Sequence, residues 1–204
     1  WRRPPARGVR QRAIGSPGQP SSWSELSRRA LRHNVQVLRT ASESGGRRPL
    51  LCAMVKGNAY GHGMLACAQA FIAAGVDWLG THDLGELEAL RAAGIASELY
   101  NVGWLAPDQA GRAVQLGARF AVYDGSVVDA ASQAARQAGS RARLHVKVET
   151  GNNRQGLRHD EAVELAVRIG RDPFLVLDGL CTHFADVEDT TDHRFARAQL
   201  DRFE

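Results

Sequence analysis

From residue 50 onward, short apolar runs alternate with longer, alanine-rich amphipathic stretches. The runs are LLCAMV (50–55), VDWLGT (76–81), ELYNVG (98–103), RFAVYD (119–124), RLHVKV (143–148) and VLDGLCTHF (176–184). Short, mostly apolar runs fit strands buried on both faces, as in a parallel sheet. Between them, MLACAQAFIAAG, LGELEALRAAG, PDQAGRAVQLG, SVVDAASQAARQAG and HDEAVELAVRIG carry helical periodicity, and each finishes at a glycine suited to closing a helix. Strand starts lie about 21 to 33 residues apart, the reach of a right-handed strand–helix–strand crossover. The chain is therefore α/β with a parallel sheet.

A doubly wound open sheet and a (β/α)8 TIM barrel both fit this alternation. The nucleotide-binding open sheets carry GxGxxG or GxxxxGK[ST] after their first strand, and neither stands here. Reactive residues instead fall just past several strand ends: Lys56 after the first, Arg154 after the fifth, His183 at the sixth. A barrel gathers all its strand ends around one mouth, so the distribution favours a partial TIM barrel with about six of eight units. Six strands cannot close that cylinder, and the expectation is a piece of a longer protein. Residues 50–204 are then the incomplete barrel, 23–49 a preceding strand and helix, and 1–22 a leader without periodicity.

Composition narrows the class. With 204 residues and 44% apolar content the chain can bury a substantial core, which excludes disorder and a disulfide miniprotein. No stretch approaches the roughly 20 apolar residues of a membrane span, and no signal-peptide core is evident, so a soluble, cytoplasmic protein is expected. The net charge of +4 comes from the leader, whose five arginines face no acid; nucleic acid is not expected as a partner. Cys52, Cys67 and Cys181 show no CxxC spacing and read as buried thiols.

Of the 26 basic residues only Lys56 and Lys147 are lysine. Where arginine serves every ordinary positive charge, the remaining lysines are candidates for amine chemistry. Lys56 opens VKGNAYGHG (55–63) at the end of a buried strand, where desolvation favours the neutral amine able to condense with an aldehyde. The glycines that follow allow close backbone approach to a ligand, and Tyr60 offers a hydroxyl to a phosphate oxygen. Pyridoxal phosphate carries both an aldehyde and a phosphate.

VKGNAYGHG resembles the cofactor-lysine motif VKANAYGHG of the alanine racemases, barrel-type pyridoxal-phosphate enzymes, with Gly57 in place of alanine. WSELSRRALRHN (23–34), ELEALRAAGI, LHVKVETGNNRQGL and GLCTHFADVEDTTDHRFARAQLDRF resemble further segments of that family in order, the last including its T-H-[FL]-A and F-x-x-Q-L-x-x-F patterns. The resemblance covers residues 23 to 204. It implies that Lys56 bonds to the cofactor and then serves as one proton-transfer base, that Tyr60 holds the cofactor phosphate, and that His183 packs against the cofactor ring. It makes Arg154 the residue that orients the substrate carboxylate and Lys147 a lysine open to carbamylation. It also implies a small amino-acid substrate, a homodimer in the full-length protein, and a second catalytic group, a tyrosine, on a C-terminal β-domain missing from this chain.

Glu149 stands where the family has aspartate, and Asn152 and Asn153 replace Met and Gly, which bears on the substrate loop. Lys147 could alternatively pair with Glu149 or Asp178. HFADVEDTTDH (183–193) offers two histidines among acids, but the remaining histidines lack HxH or HExxH spacing, so no metal site is expected. A broad-specificity racemase, another barrel-type pyridoxal-phosphate enzyme, or a non-catalytic cofactor-binding barrel stay open as alternatives.

Overall fold

A computed structural model describes residues 25–43, 45–188 and 191–204. The span read as a leader lies outside them. In chain order the elements are α1 (Arg28–Ser42), β1 (Cys52–Met54), α2 (Lys56–Tyr60), α3 (Met64–Ala73), β2 (Trp78–Thr81), α4 (Leu84–Ala92), β3 (Glu98–Asn101), α5 (Pro107–Gln115), β4 (Arg119–Val122), α6 (Gly125–Gln137), β5 (Ala142–Lys147), α7 (His159–Arg171), β6 (Leu175–Cys181) and α8 (Arg194–Phe203). All six strands are parallel and neighbour one another in sequence order. Each predicted run contains its strand or overlaps it closely.

Helix ends follow the backbone freedom of glycine where the sequence offers it. Gly75, Gly94, Gly117 and Gly139 take φ of 87°, 77°, 64° and 60° just past α3, α4, α5 and α6. The glycine of HDEAVELAVRIG does not act this way: α7 runs through Gly170, and the extended Asp172 ends it, its carboxylate accepting from Phe174 N–H at 2.8 Å. Among the described residues of 23–49 there is one helix and no strand. Gly45 and Gly46 both have positive φ, which a strand does not accommodate. Arg39 pins α1 to the α3–β2 turn through Asp77, at 2.6 Å.

Alternation along the strands separates two layers. Leu79, Leu99, Phe120, Val122, Leu144 and Val146 face the helices and join Leu87, Leu90 and Ile169 in one apolar core. Each fully buried side chain of this kind contributes roughly 1.5–3 kcal/mol. The opposite faces of the strands carry Trp78, Tyr100, Arg119, His145 and Lys147, which point toward the barrel interior. There Arg119, almost wholly buried, pairs with Asp178 at 2.5 Å and with Glu98, and its guanidinium lies 4.2 Å from the Trp78 ring centre. Asp178 is the extra residue where the β5–β6 register slips, since Leu144 faces Leu177 while His145 faces Gly179. Asp178 keeps the inward alternation of Val176, so its carboxylate meets Arg119, Arg143 and His145, and the slip brings Gly179 and Cys181 to the same inner face. The interior above that layer is left to the strand ends.

Candidate active site

The end of β1 is fixed before it reaches Lys56. Val55 is fully buried and donates its N–H to Gly80 O at 2.8 Å. The chain then turns with left-handed backbone: φ is 59° at Gly57, 54° at Asn58, 54° at Ala59 and 55° at Tyr60. For residues with a Cβ this conformation costs roughly 1–2 kcal/mol each. Several bonds hold it, among them Ala59 N–H to Val55 O (2.7 Å), Gly63 N–H to Asn58 O (2.9 Å) and Met64 N–H to the Asn58 side chain (2.8 Å). Strain that the surroundings over-determine in this way concentrates at functional sites.

Lys56 opens onto a cavity of about 500 Å³ at the C-terminal ends of the strands. Its walls include Lys56, Tyr60, Lys147, Arg154 and His183, together with Met54, His82, Tyr100, Val102, Gln155, Cys181 and Thr182. Every site residue expected from the sequence thus meets the same space. Tyr60 is two-thirds exposed and stands at the mouth, its ring centre 5.9 Å from the Lys56 amine.

Lys147 is buried and donates to Gln155 Oε1 at 3.2 Å. The alternative pairing with Glu149 or Asp178 is not the arrangement found: Asp178 is taken by the arginines below, and Glu149 by its own loop. Burial pushes the Lys147 amine below the ordinary lysine value, and Arg154 and Lys56 add to the lowering against a smaller opposing effect of Glu149. His183 is also held below the ordinary imidazole value, first by burial and then by Arg154, Lys147 and Lys56. Lys56, Lys147 and Arg154 line this one cavity, which suits it to an anionic ligand.

Arg154 owes its place to Glu149. Burial alone would raise the Glu149 carboxyl, but backbone N–H groups of residues 151–154 outweigh it and keep the group ionised below its ordinary range. The carboxylate accepts from Gly151 N–H and, at 3.3 Å, from Arg154 N–H, so the loop folds around it. Gly156 makes the closure possible, because a Cβ there would stand 2.7 Å from Glu149 N. Helix α8 covers the loop: Arg202 donates to Thr150 O at 2.9 Å, and the buried Gln199 accepts from Ala185 N–H at 3.0 Å. Thr150 and Thr182 share a hydroxyl hydrogen bond of 2.8 Å, joining the Arg154 loop to the strand end bearing His183.

Residues 26–204 match the family model described as alanine racemase, N-terminal domain. The chain belongs to the alanine racemase family. It is 36% identical over 187 residues to an alanine racemase of Symbiobacterium thermophilum, covering 92% of this chain and 48% of that protein. An alanine racemase from Bacillus anthracis, solved with bound L-Ala-P, superposes with a TM-score of 0.80 at 28% identity over 92% of this chain and 48% of that one. The alanine racemase from a D-cycloserine-producing Streptomyces lavendulae gives 0.78 at 34% identity, covering 86% and 46%. The chain spans about half the length of the relatives it matches.

Pyridoxal phosphate is the cofactor of the alanine racemase family, and the residues present fit it. An amine lines the cavity, cationic groups suit a phosphate or a carboxylate, and the volume falls within the roughly 300–1,000 Å³ of small-molecule sites. Of the acidic stretch 183–193, Asp192 pairs with Arg194 at 2.7 Å, and no three metal-binding side chains gather among the described residues.

Several of the residues that build this site lack a local sequence signal, notably His82 and Tyr100. Tyr100 crosses the interior to donate its hydroxyl to Cys181 Sγ at 3.1 Å. Glu86, Gln155 and Gln199 do lie inside segments that resemble the family, and that was the signal available. The three thiols are free: Cys67 is buried, whereas Cys52 and Cys181 are half-buried on the interior face. Burial pushes the Cys52 thiol up to about 11, which keeps it protonated.

Proposed function

We propose that this chain is the cofactor- and substrate-binding part of a pyridoxal-phosphate-dependent alanine racemase, interconverting L- and D-alanine. The supporting observation is the convergence of Lys56, Tyr60, Lys147, Arg154 and His183 on one cationic cavity. Bound pyridoxal phosphate supplies an electron sink that acidifies the hydrogen on the substrate α-carbon.

The chain's own groups account for the rest. Lys56 would hold the cofactor through its amine and would take or return a proton on one face of the substrate α-carbon. Tyr60 and the surrounding cations bind phosphate at the mouth. Arg154 grips the substrate carboxylate, a task suited to a guanidinium fork, and its loop is fixed by Glu149. His183, kept neutral by its surroundings, presents an uncharged imidazole against the cofactor ring. Lys147 stands beside Arg154 and is open to carbamylation, which would place a negative charge there.

Inversion needs a second acid–base group on the opposite face. The family resemblance assigns it to a tyrosine of a C-terminal β-domain contributed by the other subunit of a homodimer, beyond the half of the relatives that this chain matches. Racemisation is followed by loss of optical activity from L-alanine with the full-length protein and added cofactor. The expected result is activity that Lys56→Ala abolishes and Arg154→Ala reduces mainly through KM; undiminished racemisation by Lys56→Ala would overturn the proposal.

A further inference from the structure

The left-handed turn that carries Lys56 has an open end. As at the start of any helical turn, its first amides lack a partner within the turn itself. One of them belongs to Gly57, and it donates to Glu86 Oε1 at 2.5 Å. The other carboxylate oxygen, Oε2, accepts from His82 N–H at 2.8 Å, just past the end of β2. One side chain from α4 therefore clasps the backbone on both sides of the β1–β2 strand ends.

Ordinary helix capping does not account for this. Asp83 caps α4, accepting from Glu86 N–H at 2.9 Å, which puts Glu86 at the third helical position. A glutamate there commonly folds back to the amide of its own capping residue. Glu86 instead reaches past Asp83 to His82 and across to a segment 29 residues earlier in the chain. The peptide unit it holds is the one that joins Lys56 to Gly57. Since Val55 N–H is already fixed on Gly80 O, Lys56 is anchored on the side before it by the sheet and on the side after it by Glu86.

We propose that Glu86 is a positioning residue for the cofactor lysine, its two carboxylate oxygens setting the direction in which Lys56 enters the cavity. The inference rests on Lys56 being the cofactor-bonding residue. A carboxylate is required because both contacts are donors: a glutamine would offer one oxygen and turn an NH2 group against the second amide.

The test compares the wild-type chain with Glu86→Gln in two measurements. Amide hydrogen exchange is read at Gly57 and His82, with Leu99 and Phe120 in the central strands as references. Pyridoxal-phosphate affinity is read from the cofactor absorbance and from borohydride trapping on Lys56. Loss of a charge-assisted bond predicts exchange at Gly57 or His82 about tenfold faster or more, reference amides within about twofold, and cofactor affinity about tenfold weaker. Unchanged exchange at both test amides, equal acceleration at all four, or unchanged affinity would overturn it.

Should Glu86→Gln fail to fold, the wild-type chain decides: the Gly57 and His82 amide resonances must shift together as one carboxyl titrates, and independent behaviour overturns the clasp. Absence of any cofactor bond at Lys56 in the wild type would refute the functional reading itself, while the exchange and titration results would still decide whether Glu86 holds the turn.

Discussion

The buried side-chain amide of Gln199 accepts a hydrogen bond from Ala185 N–H at 3.0 Å, so a residue of the last helix fixes the loop that follows His183. The same side chain approaches the Thr150 hydroxyl, and its helix seats Arg202 on Thr150 O. Gln199→Leu removes both polar contacts while keeping bulk. It should destabilise the chain by about 1–3 kcal/mol, the cost of leaving a buried group unpaired. Denaturant unfolding measures this, and pyridoxal-phosphate affinity should fall because two cavity walls lose their tie.

Strain in the Lys56 turn makes opposite forecasts for two substitutions at one position. Ala59 is buried at a φ of 54°. Ala59→Gly should leave stability unchanged or raise it by up to about 1 kcal/mol, since glycine takes this backbone without strain. Ala59→Val, β-branched in a left-handed position, should lower it by about 2 kcal/mol or more. Thermal or denaturant midpoints of the pair decide the matter.

The interior ion cluster predicts an acid transition. Burial pushes the Asp178 carboxyl up, but hydrogen bonds from Arg119 and Arg143 prevail and hold it below its ordinary 3.8. The folded state thus binds this proton less readily than the unfolded chain does. Its contribution is complete above pH 3.8 and is lost as the pH falls toward the lower folded value. Asp178→Asn should cost about 3 kcal/mol at neutral pH, because Arg119 stays buried with a partner removed. The same variant should flatten stability against pH in the acid range.

His183 provides a probe of the cationic field. Burial and the neighbouring cations favour its neutral form, so its NMR titration midpoint in the free chain should lie below 6.5. For a base whose folded value is lowered, stability is retained above 6.5 and declines as the pH drops through the interval below it. Inorganic phosphate or pyridoxal phosphate bound in the cavity should move the midpoint upward by offsetting those charges. A downward move would show that neither anion sits beside His183.

The strands were legible because apolar runs such as ELYNVG and RFAVYD have little alternative to burial between helices and sheet. Lys56, Arg154 and His183 were legible for a related reason: they stand at strand ends, where a barrel collects its reactive groups. The left-handed turn was not, since nothing local in Asn58, Ala59 and Tyr60 announces positive φ at three consecutive residues. Glu86 opens the segment ELEALRAAGI, yet a first-turn helix acid gives no hint of a clasp on Gly57, 29 residues earlier in the chain. The inward facing of Cys181 likewise depends on a one-residue register slip. Asp178 is held by Arg119 and Arg143, partners distant in sequence, rather than by Lys147.

The central claim is that Lys56 is the residue to which the cofactor bonds, and trapping tests it most directly. The chain is incubated with pyridoxal phosphate, reduced with borohydride, digested and mapped by mass spectrometry. The account predicts a pyridoxyl label on the peptide containing Lys56, lost in Lys56→Ala. A label on Lys147 instead, or none on either lysine in cofactor-saturated full-length protein, would contradict it.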